Sequence, residues 1–143
     1  MPLPYVNAYL VARPDEAFPI DHPYIVDFYT PVLGPTSVAL LRWAGRHLTA
    51  GATLEIDLSE LAVRLGLARN LSRNAPLMRT LSRLCLYNVA TWNPEPDPET
   101  DGHLLIVDHL PPVSARQAAR WPAALTAGHQ SALARHHQLN QSA

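Results

Sequence analysis

Cysteine is almost absent from this 143-residue chain, and Cys85 is the single one. One thiol cannot form a disulfide within the chain, and this scarcity is typical of proteins in a reducing compartment. No apolar run approaches the roughly eighteen residues that a membrane-spanning helix needs, and the first residues lack the basic start and apolar stretch of a signal peptide. We therefore expect a cytoplasmic protein with no membrane association.

Glycine is also scarce, with six residues in the chain. We find no glycine-rich phosphate loop, no nucleophile elbow and no His-Glu-x-x-His motif. Seven histidines are present, but no two have the i, i+4 spacing of a helical zinc site, and the one cysteine lies far from them. These absences predict a protein that is not an enzyme and that needs no metal and no cofactor.

A surplus of positive charge is missing as well, because the formal net charge is −1. A dedicated non-specific nucleic-acid binder is usually more basic. The charge is nevertheless unevenly spread, since residues 61–94 contain five arginines and neither Asp nor Glu. This segment is the one strongly basic stretch of the chain.

The order of sequence patterns predicts three regions. Residues 1–20 contain four prolines and are expected to form an extended N-terminal arm, either packed or loose. Residues 21–113 form the main domain, and residues 114–143 form a C-terminal helical extension. Apolar spacing predicts helices over 24–29 (stopped by Pro31), 35–47, 58–65, from near Asn74, 114–121 and 122–139, and strands over 53–57, 88–92 and 104–107.

The stretch Glu60-Leu61-Ala62-x-x-Leu65-Gly66-Leu67 resembles the first helix and turn of bacterial winged helix-turn-helix regulators. The resemblance implies a fold that is mainly α with a small β-hairpin, a winged helix-turn-helix with N- and C-terminal helical extensions. It also implies that the helix starting near Asn74 reads DNA. The chain departs from the family pattern in a connector after Leu67 that is several residues longer.

A second stretch, FYTPVLGPTSVALL (residues 28–41), is similar to the opening of the winged-helix domains in the DnaB/DnaD replication-initiation proteins. Those domains are associated with self-assembly as well as with DNA contact. This similarity implies either activity.

The basic stretch supplies the candidate DNA site. Arg79 and Arg83 are four residues apart and share one helical face, which points away from the apolar positions. Arginine forks on guanine edges or phosphates are the contacts expected of such a face. The predicted DNA-binding residues are Arg64, Arg69, Arg73, Asn74, Arg79, Ser82 and Arg83. The alternative is a solvated face paired with nearby carboxylates.

The predicted hairpin tip opposes this interpretation because it is acidic, with Glu95, Asp97, Glu99 and Asp101. Duplex DNA repels a negative loop. The loop is therefore expected to be a solvated tip or a contact for a protein partner.

The last helix is the candidate dimerisation element, through Trp121, Leu125, Leu133 and Leu139. The alternative is that it folds back onto its own domain and covers Trp43 or the segment 24–29. The sequence thus predicts a cytoplasmic, homodimeric protein that binds double-stranded DNA and regulates transcription. A winged-helix adaptor for protein contacts or self-assembly is the competing hypothesis.

Overall fold

The computed structural model describes residues 5–93 and 102–142. The acidic segment 94–101 lies outside the described residues. In chain order the elements are β1 (Tyr5–Val11), β2 (Phe18–Pro19), a π-helical turn (Ile25–Tyr29), α1 (Thr30–Leu33), α2 (Pro35–His47), β3 (Leu54–Asp57), α3 (Leu58–Arg64), α4 (Pro76–Leu86), β4 (Ala90–Asn93), β5 (Gly102–Val107), β6 (His109–Leu110), α5 (Ala115–Ala118) and α6 (Ala123–Ser142).

The prediction of a mainly α fold with one small hairpin was wrong. Within the described residues, four strands form a mixed sheet in the order β3-β1-β5-β4, and helices hold 50% and strands 19% of the residues. The antiparallel pair β4 and β5 is present as predicted. The strand β1, however, lies between β3 and β5, antiparallel to one and parallel to the other. The chain is therefore a small α/β fold.

The N-terminal segment is a central strand of this sheet and not a peripheral helical addition. Val6 and Ala8 face the core and are almost completely buried. Asp108 holds the turn after β1 in place. Its carboxylate accepts a hydrogen bond from the N–H of Arg13 at 2.8 Å, and its own N–H donates to the carbonyl of Val11. Residues 5–11 are therefore packed within the sheet.

The helix α4 packs against β4 and α2, and apolar side chains of the helices and strands share one buried core. Capping signals set several of the helix ends: Asp57 accepts hydrogen bonds from the N–H groups of Ser59 and Glu60, and Gly66 has the positive φ of a helix-ending turn. Ser114 forms a capping box with Gln117. The largest fully buried side chains of the core are Phe18, Ile20, Ile25, Leu33, Leu40, Leu41, Leu58, Leu61, Leu77, Leu81, Leu84 and Leu104.

Two local predictions need correction. The helix at residues 24–29 does not stop at Pro31, because the wide π turn leads into α1 and Pro31 occupies its first turn, where no intrahelical N–H is needed. The helix then ends at Gly34. The next correction concerns α4, which was expected to start near Asn74: its N-cap is Ala75, and no side chain caps it.

The C-terminal helix α6 folds back onto its own domain. His129, which is 6% exposed, lies 2.6 Å from the hydroxyl of Tyr24 through its Nε2. That hydroxyl accepts a hydrogen bond from the N–H of Val113, so its proton is free to be donated to a neutral imidazole. Of the residues expected at a dimer interface, three pack partly on this core, namely Trp121, Leu125 and Leu133, whereas Leu139 is 71% exposed.

In the described part of the chain, no helix combines the length and the apolar character needed to cross a membrane.

The buried imidazole of His129 predicts a loss of stability in acid. Desolvation lowers its pKa from the ordinary 6.5, so below that pH the unfolded chain takes up a proton that the folded chain resists. This part of the stability is complete above pH 6.5 and is lost as the pH falls toward the lowered folded value. Urea unfolding between about pH 8 and pH 5 should show a shallower pH dependence for His129→Gln than for the wild type. His47→Gln, at an exposed histidine, should keep the wild-type dependence, and equal slopes in all three proteins would contradict the assignment.

Candidate nucleic-acid interface

The helix α4 separates its side chains into a buried and an exposed face. Leu77, Leu81 and Leu84 follow helical spacing and are fully buried. Arg79 and Arg83 lie on the opposite side and are exposed, as is Ser82 between them. Burial of the leucines fixes the rotation of the helix, and that rotation presents the two guanidinium groups together.

A groove of about 360 Å³ lies between this face of α4 and the beginning of α2. Its lining residues are Leu33, Gly34, Pro35, Thr36, Ser37, Leu67, Pro76, Arg79, Thr80 and Arg83. None of them is acidic. Neither arginine of the groove takes part in an ion pair within the described residues, where the pairs are Arg64 with Glu60 and His109 with Asp108.

The first turn of α2 presents unused hydrogen-bond donors to the groove. The first intrahelical bond runs from the N–H of Val38 to the carbonyl of Gly34, so the N–H groups of Thr36 and Ser37 precede the ladder. Gly34, the N-cap, supplies no side-chain cap. The N-terminus of a helix carries about half a positive charge, which adds to the charge of the two arginines.

The hydroxyl of Ser37 is a further unused donor. Ser37 is 2% exposed and lines the groove. Its side chain makes no hydrogen bond within the described part of the protein. The neighbouring Thr80 differs, because its hydroxyl donates to the carbonyl of Pro76 at 2.9 Å. The hydroxyl oxygen of Ser37 is not one of the fully buried unpaired atoms of the described residues, so it remains open to a partner from the groove.

Gly34 allows Arg83 to approach the start of α2. The Nη1 of Arg83 donates to the carbonyl of Leu33 at 3.2 Å, and a Cβ added at Gly34 would lie 2.8 Å from that same nitrogen. Gly34 also has φ +88° and ψ 157°, a backbone conformation that residues other than glycine rarely adopt. The conformation of this one residue therefore positions both the helix start and the guanidinium.

We predict that Gly34→Ala destabilises the protein by about 1–3 kcal/mol because its backbone is strained, and that it displaces Arg83 from Leu33. Gly128→Ala is the matched control. Gly128 lies inside α6 with nothing within 4 Å of an added Cβ, so alanine should stabilise the helix by about 0.5–1 kcal/mol. Urea unfolding of both variants tests this, and a wild-type midpoint for Gly34→Ala would refute the account of this residue.

The other predicted DNA-binding residues are less concentrated. Arg64 forms an ion pair with Glu60 at 2.9 Å on α3, so its charge is partly compensated. Arg69, Arg73 and Asn74 are exposed in the connector before α4, outside the lining of the groove. The structure therefore brings together two of the seven predicted residues in one groove, Arg79 and Arg83.

The contribution of α2 was missed by the sequence interpretation. Gly34-Pro35-Thr36-Ser37 was read as a helix start, but a start without Ser, Thr, Asp or Asn at the N-cap leaves its N–H groups unoccupied. Two hydroxyls in that uncapped first turn were the available signal for an anion site.

Comparison of the chain with protein-family models, with curated proteins and with solved structures finds no match.

Proposed function

We propose that this chain is a cytoplasmic DNA-binding protein that contacts the phosphates of duplex DNA through the exposed face of α4. One observation carries the proposal: Arg79 and Arg83 are exposed side by side and line a groove without an acidic residue. It is a binding protein and not an enzyme in this proposal.

The connector extends this basic surface. Arg69 and Arg73 are exposed just before α4 and are suited to hold phosphates. Asn74 and Ser82 are uncharged hydrogen-bond donors that can contact the same phosphates. Arginine is suited to this task because its planar fork donates two parallel hydrogen bonds to a phosphate. Arg64 contributes less, since Glu60 already neutralises part of its charge.

More specifically, we propose that the protein forms a homodimer and regulates transcription. The order of α3, α4 and the β4–β5 pair is shared with winged-helix regulators and supports it, while the inserted strand β1 departs from them. A symmetric dimer would read two half-sites. Its contact through α6 would use Leu139 and the exposed positions of the helix, because Trp121, Leu125 and Leu133 pack partly on their own core.

Binding to a duplex of mixed sequence at low salt tests the proposal. We expect measurable affinity at about 50 mM salt and a steep loss by about 200 mM, because binding releases counterions from the phosphates. Four arginines on phosphates give a slope of log K against log salt of about −3 to −4. Absence of binding at the lowest salt would contradict the proposal.

An adaptor function for protein contacts is the second candidate, and a specific observation favours it. Leu86, at the end of α4, is 78% exposed and the adjacent Tyr87 is 40% exposed. Exposed apolar side chains of this size are common in protein interfaces. The acidic segment 94–101 would supply a charged contact for such a partner. The duplex-binding measurement separates the two candidates, because an adaptor need not bind DNA at low salt.

A further inference from the structure

We propose that the groove between the first turn of α2 and the exposed face of α4 is a binding site for one phosphate group. This inference rests on the proposed function, because Arg79 and Arg83 would contact phosphate both in DNA binding and in the groove. The ligand chemistry is that of a phosphate ester, carried either by a nucleic-acid backbone or by a free nucleotide.

The donors around the groove match a tetrahedral oxyanion. The N–H groups of Thr36 and Ser37 open the helix without intrahelical partners, and hydroxyls stand on the same two residues. Arg79 and Arg83 supply charged donors from the facing helix. Backbone N–H groups at a helix start, combined with arginine, form a well-known arrangement for holding phosphate.

Ser37 is the observation that goes beyond a helix start. Its side chain is nearly inaccessible to solvent, lines the groove and has no hydrogen-bond partner in the described part of the chain. The buried side-chain atom without a partner in the described residues is Nδ1 of His103, so the hydroxyl oxygen of Ser37 keeps access to solvent from the groove. A phosphate oxygen seated in the groove would accept its proton in place of water.

The size and the walls of the groove define the ligand further. A volume of about 360 Å³ is at the small end of the range for small-molecule sites, and it exceeds what a single phosphate fills. Leu33, Leu67 and Pro76 provide apolar walls. The groove therefore accommodates a phosphate together with part of the sugar or base to which it is attached.

The test uses the full chain, labelled with ¹⁵N, and follows the amide signals of Thr36 and Ser37 during titration at constant ionic strength. The probes are inorganic phosphate, adenosine 5′-monophosphate, adenosine and a mixed-sequence duplex. We expect phosphate and the nucleotide to shift both amides, and adenosine to leave them unchanged. Loss of the Ser37 hydroxyl in Ser37→Ala should weaken nucleotide binding by about tenfold or more.

Ser131→Ala is the matched control, because Ser131 is exposed on α6 and does not line the groove. It should keep the wild-type affinity. Ser37→Ala should also unfold at nearly the same urea concentration as the wild type, because it removes no hydrogen bond to the described part of the chain. An affinity loss with intact stability then belongs to the groove and not to the fold.

The outcomes separate this inference from the DNA proposal. If the nucleotide shifts the amide signals of Thr36 and Ser37 but the duplex does not bind, the phosphate site is supported and DNA is rejected as the molecule that carries the phosphate. Duplex binding that shifts the same amides would support the site with DNA as the source. If no probe moves these amides, or if Ser37→Ala binds as tightly as the wild type, the phosphate site is overturned, even where the duplex still binds elsewhere on α4.

Discussion

Replacing both Arg79 and Arg83 with alanine is expected to weaken duplex binding by about 10–100-fold at low salt. The same change should reduce the steepness of the salt dependence by about two, because each lost phosphate contact removes about 0.9 from the slope. Both side chains lie on the surface of α4, so the variant should unfold at nearly the wild-type urea concentration. Fluorescence anisotropy with a labelled duplex over a salt series measures both quantities.

A second double variant controls for net charge. Arg116 and Arg120 have the same spacing of four residues and are exposed, but neither lines the groove. Arg116→Ala with Arg120→Ala therefore removes the same two charges from a different surface, and its affinity should stay within about twofold of the wild type because surface charges are screened beyond about 10 Å. Equal losses in the two double variants would mean that binding reflects total charge and not the face of α4.

Replacing Ala8 with aspartate is expected to destabilise the protein by about 3–5 kcal/mol, the scale of an unpaired buried charge. Ala8 is completely buried in β1, paired with Leu104 of β5 and Leu54 of β3. Because small domains have total stabilities of about 5–15 kcal/mol, this change removes a large share of the folding free energy. Urea unfolding followed by circular dichroism gives the value.

Asn7→Asp is the matched control for this prediction. Asn7 precedes Ala8 in the same strand, and its side chain lies on the opposite face of the sheet, where it is only partly buried. The same carboxylate should cost less than about 1 kcal/mol there, including its repulsion from the facing Glu55. If Ala8→Asp were as mild as Asn7→Asp, β1 would be a loose arm and not a central strand.

Local signals predicted much of the secondary structure correctly because they act within a few residues. The helix expected over 35–47 is observed at Pro35–His47. The cap at Asp57, the turn at Gly66 and the cap at Ser114 likewise depend on neighbouring residues. Each of these depends on a hydrogen bond or a backbone angle that the adjacent sequence determines.

The sheet could not be predicted in the same way, because its contacts join distant parts of the chain. The strand β1 pairs with β5, whose residues lie almost a hundred positions later, as in Val6 with Gly102. The prolines around β1 indicated an extended segment, but extension does not specify a partner. Placing this strand between β3 and β5 is a tertiary property, and its omission is why the fold class was wrong.

Only the part of the candidate site that lies on α4 could be predicted from the sequence. The spacing of Arg79 and Arg83 places them on a common face, whatever surrounds that face. The groove additionally requires the start of α2, more than forty residues earlier, and the positive φ of Gly34 that lets Arg83 reach the carbonyl of Leu33. No pattern within α4 contains that information.

Photo-crosslinking from the exposed face of α4 to bound duplex DNA tests directly whether DNA lies on this helix. A photoreactive residue at Ser82 lies beside Arg79 and Arg83, and the same residue at Ala124, exposed on α6, provides the comparison. We predict a crosslink to DNA from position 82 and none from position 124. Crosslinking from position 124 but not from position 82, under conditions where the duplex is bound, would mean that DNA does not lie on α4.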